Sequence, residues 1–256
     1  MIPKVIHYCW FGRGEKSKLM KKCIKSWKKY CPDYEIIEWN EDNIDINENT
    51  FAKQAYECKK WAFVADYARL KVLYEHGGIY MDTDQELIKP IDKFMDLKAF
   101  MGFLDDKNIN SGIIGCEKEL PIIKKFLSIY DDDFIKDGKQ NLTPNTDYIT
   151  NILASEGLEL NNNYQVISDI HIFPKTVFCP TSCIENKKFF SEDTVAIHHW
   201  AMTWRKPSEI KTFKRVKRHK TWWYRLYEDI KVLPQKTLRR ILGNDTVDKI
   251  KSKLGK

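Results

Sequence analysis

Two carboxylates flank one threonine in the stretch "HGGIYMDTDQE", residues 76–86. Asp82 and Asp84 follow a short apolar run that is typical of a buried β-strand. Side chains two residues apart on a strand point to the same face, so both carboxylates can face one point in space. Because the two charges repel each other, a divalent cation beside them would explain the pair, and Mg²⁺ and Mn²⁺ bind carboxylates together with phosphate oxygens. The sequence therefore predicts a metal-diphosphate site.

The surrounding segments predict the α/β elements that would position these acids. Residues 4–12 are typical of a strand, residues 19–30 of an amphipathic helix capped by Ser17, and residues 34–39 of a second strand. An apolar helix is expected from Trp61 to a closing pair of glycines, Gly77 and Gly78, directly before the acidic strand. Ligands of open α/β sheets bind at the carboxyl ends of the strands, which is where the two acids would lie.

Further elements complete the predicted fold. Strands are expected at 99–103, 111–116, 164–168 and 194–200, and helices at 120–130 and 143–157. The second of these helices is predicted to have Thr143 as its N-cap and Pro144 as its first residue.

Basic residues are concentrated near the end of the sequence. The chain of 256 residues has a formal net charge of +7, and residues 203–256 contain 17 Lys and Arg against 5 Asp and Glu. Aromatic residues such as Trp222 and Trp223 alternate with these cations in a helical pattern. We expect a domain at 1–204 and a basic amphipathic helical tail at 205–256. That tail would either pack on the domain or lie against an anionic membrane.

The composition is that of a globular protein. Hydrophobic residues make up 43% of the chain, and no apolar run approaches the roughly 20 residues that cross a bilayer. The N-terminus lacks the apolar stretch of a signal peptide, and the seven cysteines include no CxxC pair. We expect a cytoplasmic protein with reduced thiols.

Three blocks of sequence resemble one enzyme family. "IPKVIHYCWFG", "FVADYARLKVLYEHGGIYMDTDQE" and "IHHWAMTW" resemble the signature blocks of glycosyltransferase family 32, and they occur in the family's order between residue 2 and about residue 204. This family includes the Och1-like mannosyltransferases and sugar transferases of bacterial surface polysaccharides, and it is related to the clostridial glucosylating toxins. The resemblance implies a GT-A fold, which is a Rossmann-like mixed sheet flanked by helices. It also implies a nucleotide-sugar donor, Mn²⁺ or Mg²⁺, and retention of anomeric configuration.

The resemblance also assigns roles to individual residues. Asp84 is expected to bind the metal directly, and Asp82 to contact the metal through water or the ribose. Asp66 and Arg69, one helical turn apart, match the family's donor-sugar pair, and all four of these residues are candidate catalytic residues. Tyr80 would share the strand face of Asp82 and reach a phosphate.

Aromatic and imidazole side chains are expected around the donor. Trp10 matches an aromatic residue that stacks on the nucleobase, although a core position would suit it too. His199 resembles a third metal ligand, and its neighbour His198 stays open as the alternative. Trp200 and Trp204 are expected to cover the donor.

Polar residues later in the chain are candidates for sugar contacts. Asn110 and Ser111, expected just before a strand, lie where a GT-A fold binds the donor sugar. Asn145 and Asp147 are candidates for the acceptor, although Asp147 could equally stabilise the N-terminus of its helix.

The expected function is therefore a retaining, metal-dependent glycosyltransferase that uses a UDP- or GDP-sugar. Its acceptor would be a glycan, lipid-linked at the cytoplasmic face of the membrane, in surface polysaccharide synthesis, and nucleic acid is not an expected partner. Two alternatives remain at this point. A haloacid-dehalogenase-type phosphatase also places a D-x-D after an apolar strand, and the basic tail suits a non-enzymatic module that binds membrane or nucleic acid.

Overall fold

The computed structural model describes residues 1–182 and 188–202. Eleven β-strands are present in this part of the chain: β1 Val5–Cys9, β2 Glu35–Trp39, β3 Gly78–Met81, β4 Gln85–Leu87, β5 Ala99–Phe103, β6 Ile109–Cys116, β7 Ile135–Lys136, β8 Lys139–Gln140, β9 Gln165–Ile167, β10 Ile170–Phe173 and β11 Ala196–His198. Six α-helices are present there too: α1 Lys18–Tyr30, α2 Thr50–Glu57, α3 Trp61–His76, α4 Pro121–Leu127, α5 Asn145–Ser155 and α6 Lys175–Phe178.

Seven strands form one mixed sheet in the order β2-β1-β3-β6-β5-β10-β9. Strand β1 runs parallel to β2 and β3, whereas β6 is antiparallel to both of its neighbours, β3 and β5. Buried apolar side chains pack on both faces of this sheet, as a sheet covered by helices requires. The predicted α/β class, a Rossmann-like mixed sheet flanked by helices, is confirmed.

Helix α3 leads directly into the central strand β3. Its buried residues lie on several sides of the helix, because it packs both on the sheet and on neighbouring helices. Gly77 and Gly78 follow it with φ values of +66° and +96°, a conformation that side chains rarely adopt. The glycines therefore allow the chain to reverse tightly from helix to strand, as the sequence predicted.

A second, two-stranded sheet lies next to the acidic stretch. Strand β4 begins directly after Asp84 and pairs antiparallel with β11, so that Gln85 lies opposite His198. The predicted strand at 194–200 is therefore shorter and pairs with β4, outside the seven-stranded sheet. This pairing brings a segment more than 110 residues downstream beside Asp84.

Several predicted boundaries need correction. Strand β6 begins at Ile109, so Asn110 and Ser111 lie within the strand and not before it. Helix α5 begins at Asn145 with Pro144 as its N-cap, and the predicted Thr143 cap is wrong. Ser17 does cap α1, because its hydroxyl accepts a hydrogen bond from the Met20 N–H.

Within the described residues, no helix is long and apolar enough to cross a membrane. The predicted helical tail at 205–256 lies outside these residues, and so does the predicted domain boundary at 204.

Candidate active site

The candidate site lies at the carboxyl edge of two parallel neighbours, β1 and β3. Strand β1 ends at Cys9 and is followed by Trp10, and β3 ends at Met81 and is followed by the two acids. Because the strands are parallel neighbours, both segments emerge at the same edge of the sheet. The sheet therefore brings the N-terminal block and the acidic block together.

A tight turn carries the two acids. The Asp82 N–H donates to the Gly112 carbonyl at 2.8 Å, which extends the pairing of β3 with β6 by one residue. The Gln85 N–H donates back to the Asp82 carbonyl, also at 2.8 Å, and closes the turn before β4 begins. Backbone hydrogen bonds on both sides therefore fix the positions of the acids.

Asp82, Asp84 and His198 form a candidate metal centre. One ligand atom from each side chain lies within 4.8 Å of the other two, and this is the one such group of His, Cys, Asp and Glu in residues 1–182 and 188–202. Two carboxylates and one imidazole fit a divalent cation, since carboxylate oxygen suits both Mg²⁺ and Mn²⁺ and imidazole nitrogen is a ligand for transition metals. The donor set thus fits the cation that the sequence predicted.

The two candidate histidines have different neighbours in the structure. His198 Nε2 lies 3.4 Å from Asp84 Oδ1, whereas His199 Nε2 lies 2.7 Å from Glu86 Oε2. Glu86 is also paired with Lys22 at 2.8 Å. His199 therefore belongs to a neighbouring ion-pair cluster, because the register of β11 on β4 directs His198 toward the acids.

Asp84 is held as a charged group. Its Oδ2 accepts the Ala201 N–H at 2.7 Å, and its backbone carbonyl accepts the His199 N–H at 3.0 Å. Burial alone would raise the pKa of Asp84, but the charge of His198 and the hydrogen bonds to the carboxylate outweigh burial and lower it to about 2. The same interaction raises the pKa of His198 against the effect of burial.

Arg69 connects α3 to the acidic turn. It is 5% exposed, and its guanidinium contacts Asp66 at 2.7 Å and Asp82 at 3.4 Å. Its Nη1 also donates to the Ser111 carbonyl at 2.8 Å. A buried arginine with a fixed fork of donors can hold several oxygens at once. Arg69 therefore positions two of the predicted catalytic carboxylates.

Asp66 and Tyr80 lie on either side of this arginine. Burial, reinforced by the charge of Asp82 and opposed by Arg69, raises the pKa of Asp66 to about 6. The Tyr80 hydroxyl donates to Asp82 Oδ1 at 2.9 Å, and the guanidinium of Arg69 stacks over its ring. Tyr80 is 1% exposed, and its hydroxyl holds Asp82 in place; its contact with a phosphate stays a prediction.

The candidate sugar-contacting residues are buried beside this group. Asn110 is 1% exposed, and its Oδ1 accepts the Gly112 N–H at 2.9 Å. The Ser111 hydroxyl lies 3.3 Å from that of Thr146. Asn145 is buried and donates to the Tyr130 hydroxyl. Asp147 is exposed in the first turn of α5, where its charge stabilises the helix N-terminus.

The aromatic candidates have different surroundings. Trp10 is partly buried, its indole N–H donates to the Gly14 carbonyl at 2.6 Å, and the Lys16 ammonium lies 5.4 Å from the ring centroid. The Trp200 ring stacks on His198 with 4.2 Å between centroids. Trp200 therefore supports the imidazole, and Trp204 lies outside the described residues.

Sequence reasoning missed one contributor to this site and one contact in the neighbouring ion-pair cluster. The Ala201 N–H binds Asp84, and Glu86 binds His199. A backbone donor has no sequence signature, whereas Glu86 was visible as a third acid within the same stretch.

Comparison with known proteins agrees with this geometry. Residues 17–101 match the family described as a glycosyltransferase sugar-binding region containing DXD motif. An uncharacterized glycosyltransferase, L373, of Acanthamoeba polyphaga mimivirus is 26% identical over 210 residues, which cover 72% of this chain and 80% of that protein. Inositol phosphoceramide mannosyltransferase 1 of Schizosaccharomyces pombe is 30% identical over 111 residues, 39% of this chain and 33% of that protein.

The chain thus spans about a third of the yeast mannosyltransferase. Among solved structures, the PaToxG glycosyltransferase is 23% identical to this chain with a TM-score of 0.49. The matched region covers 61% of this chain and 70% of the PaToxG chain. The family match favours a transferase over the phosphatase alternative, since the matched region contains both acids. Residues 17–101 of the chain are therefore similar to the DXD-containing glycosyltransferases, the type of family that its sequence blocks resemble.

Proposed function

We propose that the chain transfers a sugar from a UDP- or GDP-linked donor to a glycan acceptor, with retention of anomeric configuration. One observation carries this proposal: Asp82, Asp84 and His198 converge on one point, directly beside the buried pair of Asp66 and Arg69. A diphosphate site next to a polar sugar site is the arrangement that a nucleotide-sugar donor requires.

Asp82, Asp84 and His198 would hold a divalent cation, for which we propose Mn²⁺ because imidazole suits it better than Mg²⁺. When bound, such a cation supplies positive charge that stabilises the leaving diphosphate. The Ala201 N–H and His198 hold the Asp84 carboxylate in a fixed position and in its ionised form. A site organised in advance needs little rearrangement as charge develops.

Asp66 and Asn110 would contact the donor sugar. A carboxylate accepts hydrogen bonds from sugar hydroxyls, and Arg69 holds Asp66 in place at 2.7 Å. The Arg69 guanidinium is itself engaged by Asp66, Asp82 and the Ser111 carbonyl. Arg69 therefore acts mainly by orienting these carboxylates, and Trp10 would stack on the base.

Retention would follow from attack on the same face of the sugar as the leaving group. The departing phosphate oxygen would take the proton of the acceptor hydroxyl as the new glycosidic bond forms. The carboxylates of Asp66 and Asp82 are both paired with Arg69, and that of Asp84 with His198. Each of them thus has a positioning role, which supports a route without a covalent glycosyl-enzyme. Trapping of a glycosyl adduct on any of the three would contradict this route.

We further propose a lipid-linked acceptor in surface polysaccharide synthesis, with the basic segment 205–256 bound at the inner face of the membrane. The excess of Lys and Arg in this segment supports attraction to anionic lipids. Flotation with vesicles of phosphatidylcholine and phosphatidylserine tests the membrane contact. The full chain should float with anionic vesicles, and a chain ending at Lys206 should not.

A donor screen tests the transferase activity itself. UDP-glucose, UDP-galactose, UDP-N-acetylglucosamine and GDP-mannose are incubated with the full chain and Mn²⁺, Mg²⁺ or EDTA, and release of UDP or GDP is measured. We expect one donor to be turned over with Mn²⁺, and turnover to fall at least about 100-fold in Asp84→Asn. Asp133→Asn, on an exposed loop, is the matched control and should retain full activity. Equal turnover by Asp84→Asn and the native chain would refute the proposed site.

A further inference from the structure

One face of helix α1 is entirely basic. Six of its 13 residues are lysines, and the helix contains no acidic residue. With 3.6 residues per turn, the six side chains fall within an arc of about 120° and extend over about 16 Å of the helix. The opposite side of α1 is buried through Met20, Cys23 and Trp27. The lysines are the exposed residues of this helix: Lys18, Lys21, Lys22, Lys25, Lys28 and Lys29.

Most of this charge has no counterpart in the protein. In the part of the chain that the structure describes, two acidic side chains contact the lysine face: Glu15 lies 2.7 Å from Lys21, and Glu86 lies 2.8 Å from Lys22. Six ammonium groups against two carboxylates leave a net charge of +4 on the face. Like charges three or four residues apart repel each other on a helix. An anionic partner would offset this repulsion.

The chemistry of the lysine face favours an extended anionic surface as that partner. A lysine ammonium is a point charge on a flexible stem and lacks the fixed fork with which arginine binds a single phosphate. Single-stranded nucleic acid is bound by exposed aromatic rings that stack on its bases, and the exposed residues of α1 include none. A bilayer that contains anionic lipids has a negative surface potential that attracts clustered lysines without any specific geometry.

Helix α1 is fixed to the strand that follows the two acids of the candidate site. The Trp27 indole N–H donates to the Gln85 carbonyl at 2.7 Å, and the Ser26 hydroxyl accepts the Leu87 N–H at 2.9 Å. Gln85 and Leu87 are the first and last residues of β4. A surface that binds the lysine face would therefore be held close to the candidate metal centre.

We propose that the lysine face of α1 is a docking surface for an anionic phospholipid bilayer. Its ammonium groups contact the lipid phosphates, and no apolar side chain needs to insert, because the apolar side of α1 already packs in the protein. This contact is additional to the one proposed for residues 205–256. Docking itself does not depend on donor or cation chemistry, whereas its use in reaching a lipid-linked acceptor rests on the proposed function.

Vesicle binding by the full chain tests this surface. Flotation with phosphatidylcholine vesicles, with and without phosphatidylserine, is measured at about 0.1 M salt, where the Debye length is about 10 Å. The test variant combines Lys18→Gln, Lys25→Gln and Lys28→Gln. A matched control removes the same charge at three exposed lysines of other segments: Lys53, Lys107 and Lys139.

The native chain and the matched control should bind the phosphatidylserine vesicles equally well, to within about twofold. Each lysine near an anionic surface strengthens binding about fivefold, so the test variant should bind about 100-fold more weakly. Arginine at Lys18, Lys25 and Lys28 keeps the charge and should retain native binding. Vesicle binding by the test variant equal to that of the native chain would overturn the proposal. Equal weakening in the test variant and the control would also overturn it, because net charge alone would then explain the attraction.

Two further measurements distinguish this proposal from its alternatives. If the test variant lost binding to a DNA oligonucleotide but kept its binding to vesicles, the partner would be nucleic acid and the proposal would fail. The three lysines lie outside the candidate active site, so the test variant should release nucleoside diphosphate from a donor at the native rate. If no donor were turned over while vesicle binding followed the expected pattern, the proposed function would fail and the docking surface would stand.

Discussion

Asp66 is predicted to be required for activity while it destabilises the fold. Its side chain is 13% exposed, and burial raises its pKa from 3.8 to about 6 in spite of the favourable charge of Arg69. Each pKa unit corresponds to about 1.4 kcal/mol, so the ionised form costs about 3 kcal/mol of folding free energy. Asp66→Asn keeps the shape of the side chain and removes this charge.

The sign of the effect follows from proton binding. Between pH 3.8 and about 6, the folded chain holds a proton on Asp66 that the unfolded chain has released. The contribution of Asp66 to the free energy of unfolding therefore falls as the pH rises through this window and stays low above it. Because Asn is neutral at every pH, the stability of Asp66→Asn relative to the native chain should increase by about 2.4 kcal/mol between pH 4 and pH 7.

Urea unfolding followed by tryptophan fluorescence, at intervals from pH 4 to pH 8, measures this difference. Asp133→Asn, at an exposed position, serves as the control for the loss of a carboxylate elsewhere on the chain. Release of the nucleoside diphosphate at pH 7 should fall at least about 100-fold in Asp66→Asn alone. If the difference in free energy of unfolding between Asp66→Asn and the native chain did not change with pH, Arg69 would fully compensate the buried charge of Asp66. That result would refute the reasoning.

Three further substitutions test the surroundings of the site. His7 is neutral in the fold because burial lowers its pKa to about 4. The free energy of unfolding of the native chain should therefore fall by up to about 3 kcal/mol as the pH falls from 6.5 to 4, and His7→Gln should remove this fall. The same pH dependence of urea unfolding in both chains would contradict this. A Cβ atom added at Gly112 would lie 2.8 Å from Asp82 Oδ2, so Gly112→Ala should displace Asp82 and weaken Mn²⁺ binding about tenfold in titration calorimetry. Mn²⁺ affinity equal to that of the native chain would refute this close contact. Arg69→Met leaves Asp66 without its buried partner and should cost about 3 to 5 kcal/mol in urea unfolding at pH 7, and a loss below about 1 kcal/mol would refute its central role.

Local patterns predicted most of the elements of the fold. Helix α1 with its Ser17 cap, helix α3 with its paired glycines, and strands β1, β2 and β5 follow from periodicity and from residues that favour helix ends. The Thr143 cap was wrong, because Pro144 occupies the N-cap of α5. Cap positions depend on differences of one residue that sequence patterns rarely resolve.

The pair of acids and the pair Asp66 and Arg69 were also visible in the sequence. Each pair is local, since one lies within a single turn and the other within one helical turn. Spacing within one turn of α3 places Asp66 and Arg69 on the same face of the helix. The prediction that Asp82 and Asp84 share a strand face is wrong, because β3 ends at Met81 and a turn carries both acids. The sequence alone therefore predicted a cation site at Asp82 and Asp84 and a buried ion pair of Asp66 and Arg69.

Tertiary structure decided which distant residue completes that site. His198 and His199 are adjacent in sequence, and only the pairing of β11 with β4 brings His198 to Asp84 and His199 to Glu86. A shift of one residue in this register would exchange the two histidines, and no local pattern specifies a register between segments so far apart. The same pairing places Gln85 opposite His198, and nothing in the stretch of sequence around Gln85 specifies that partner.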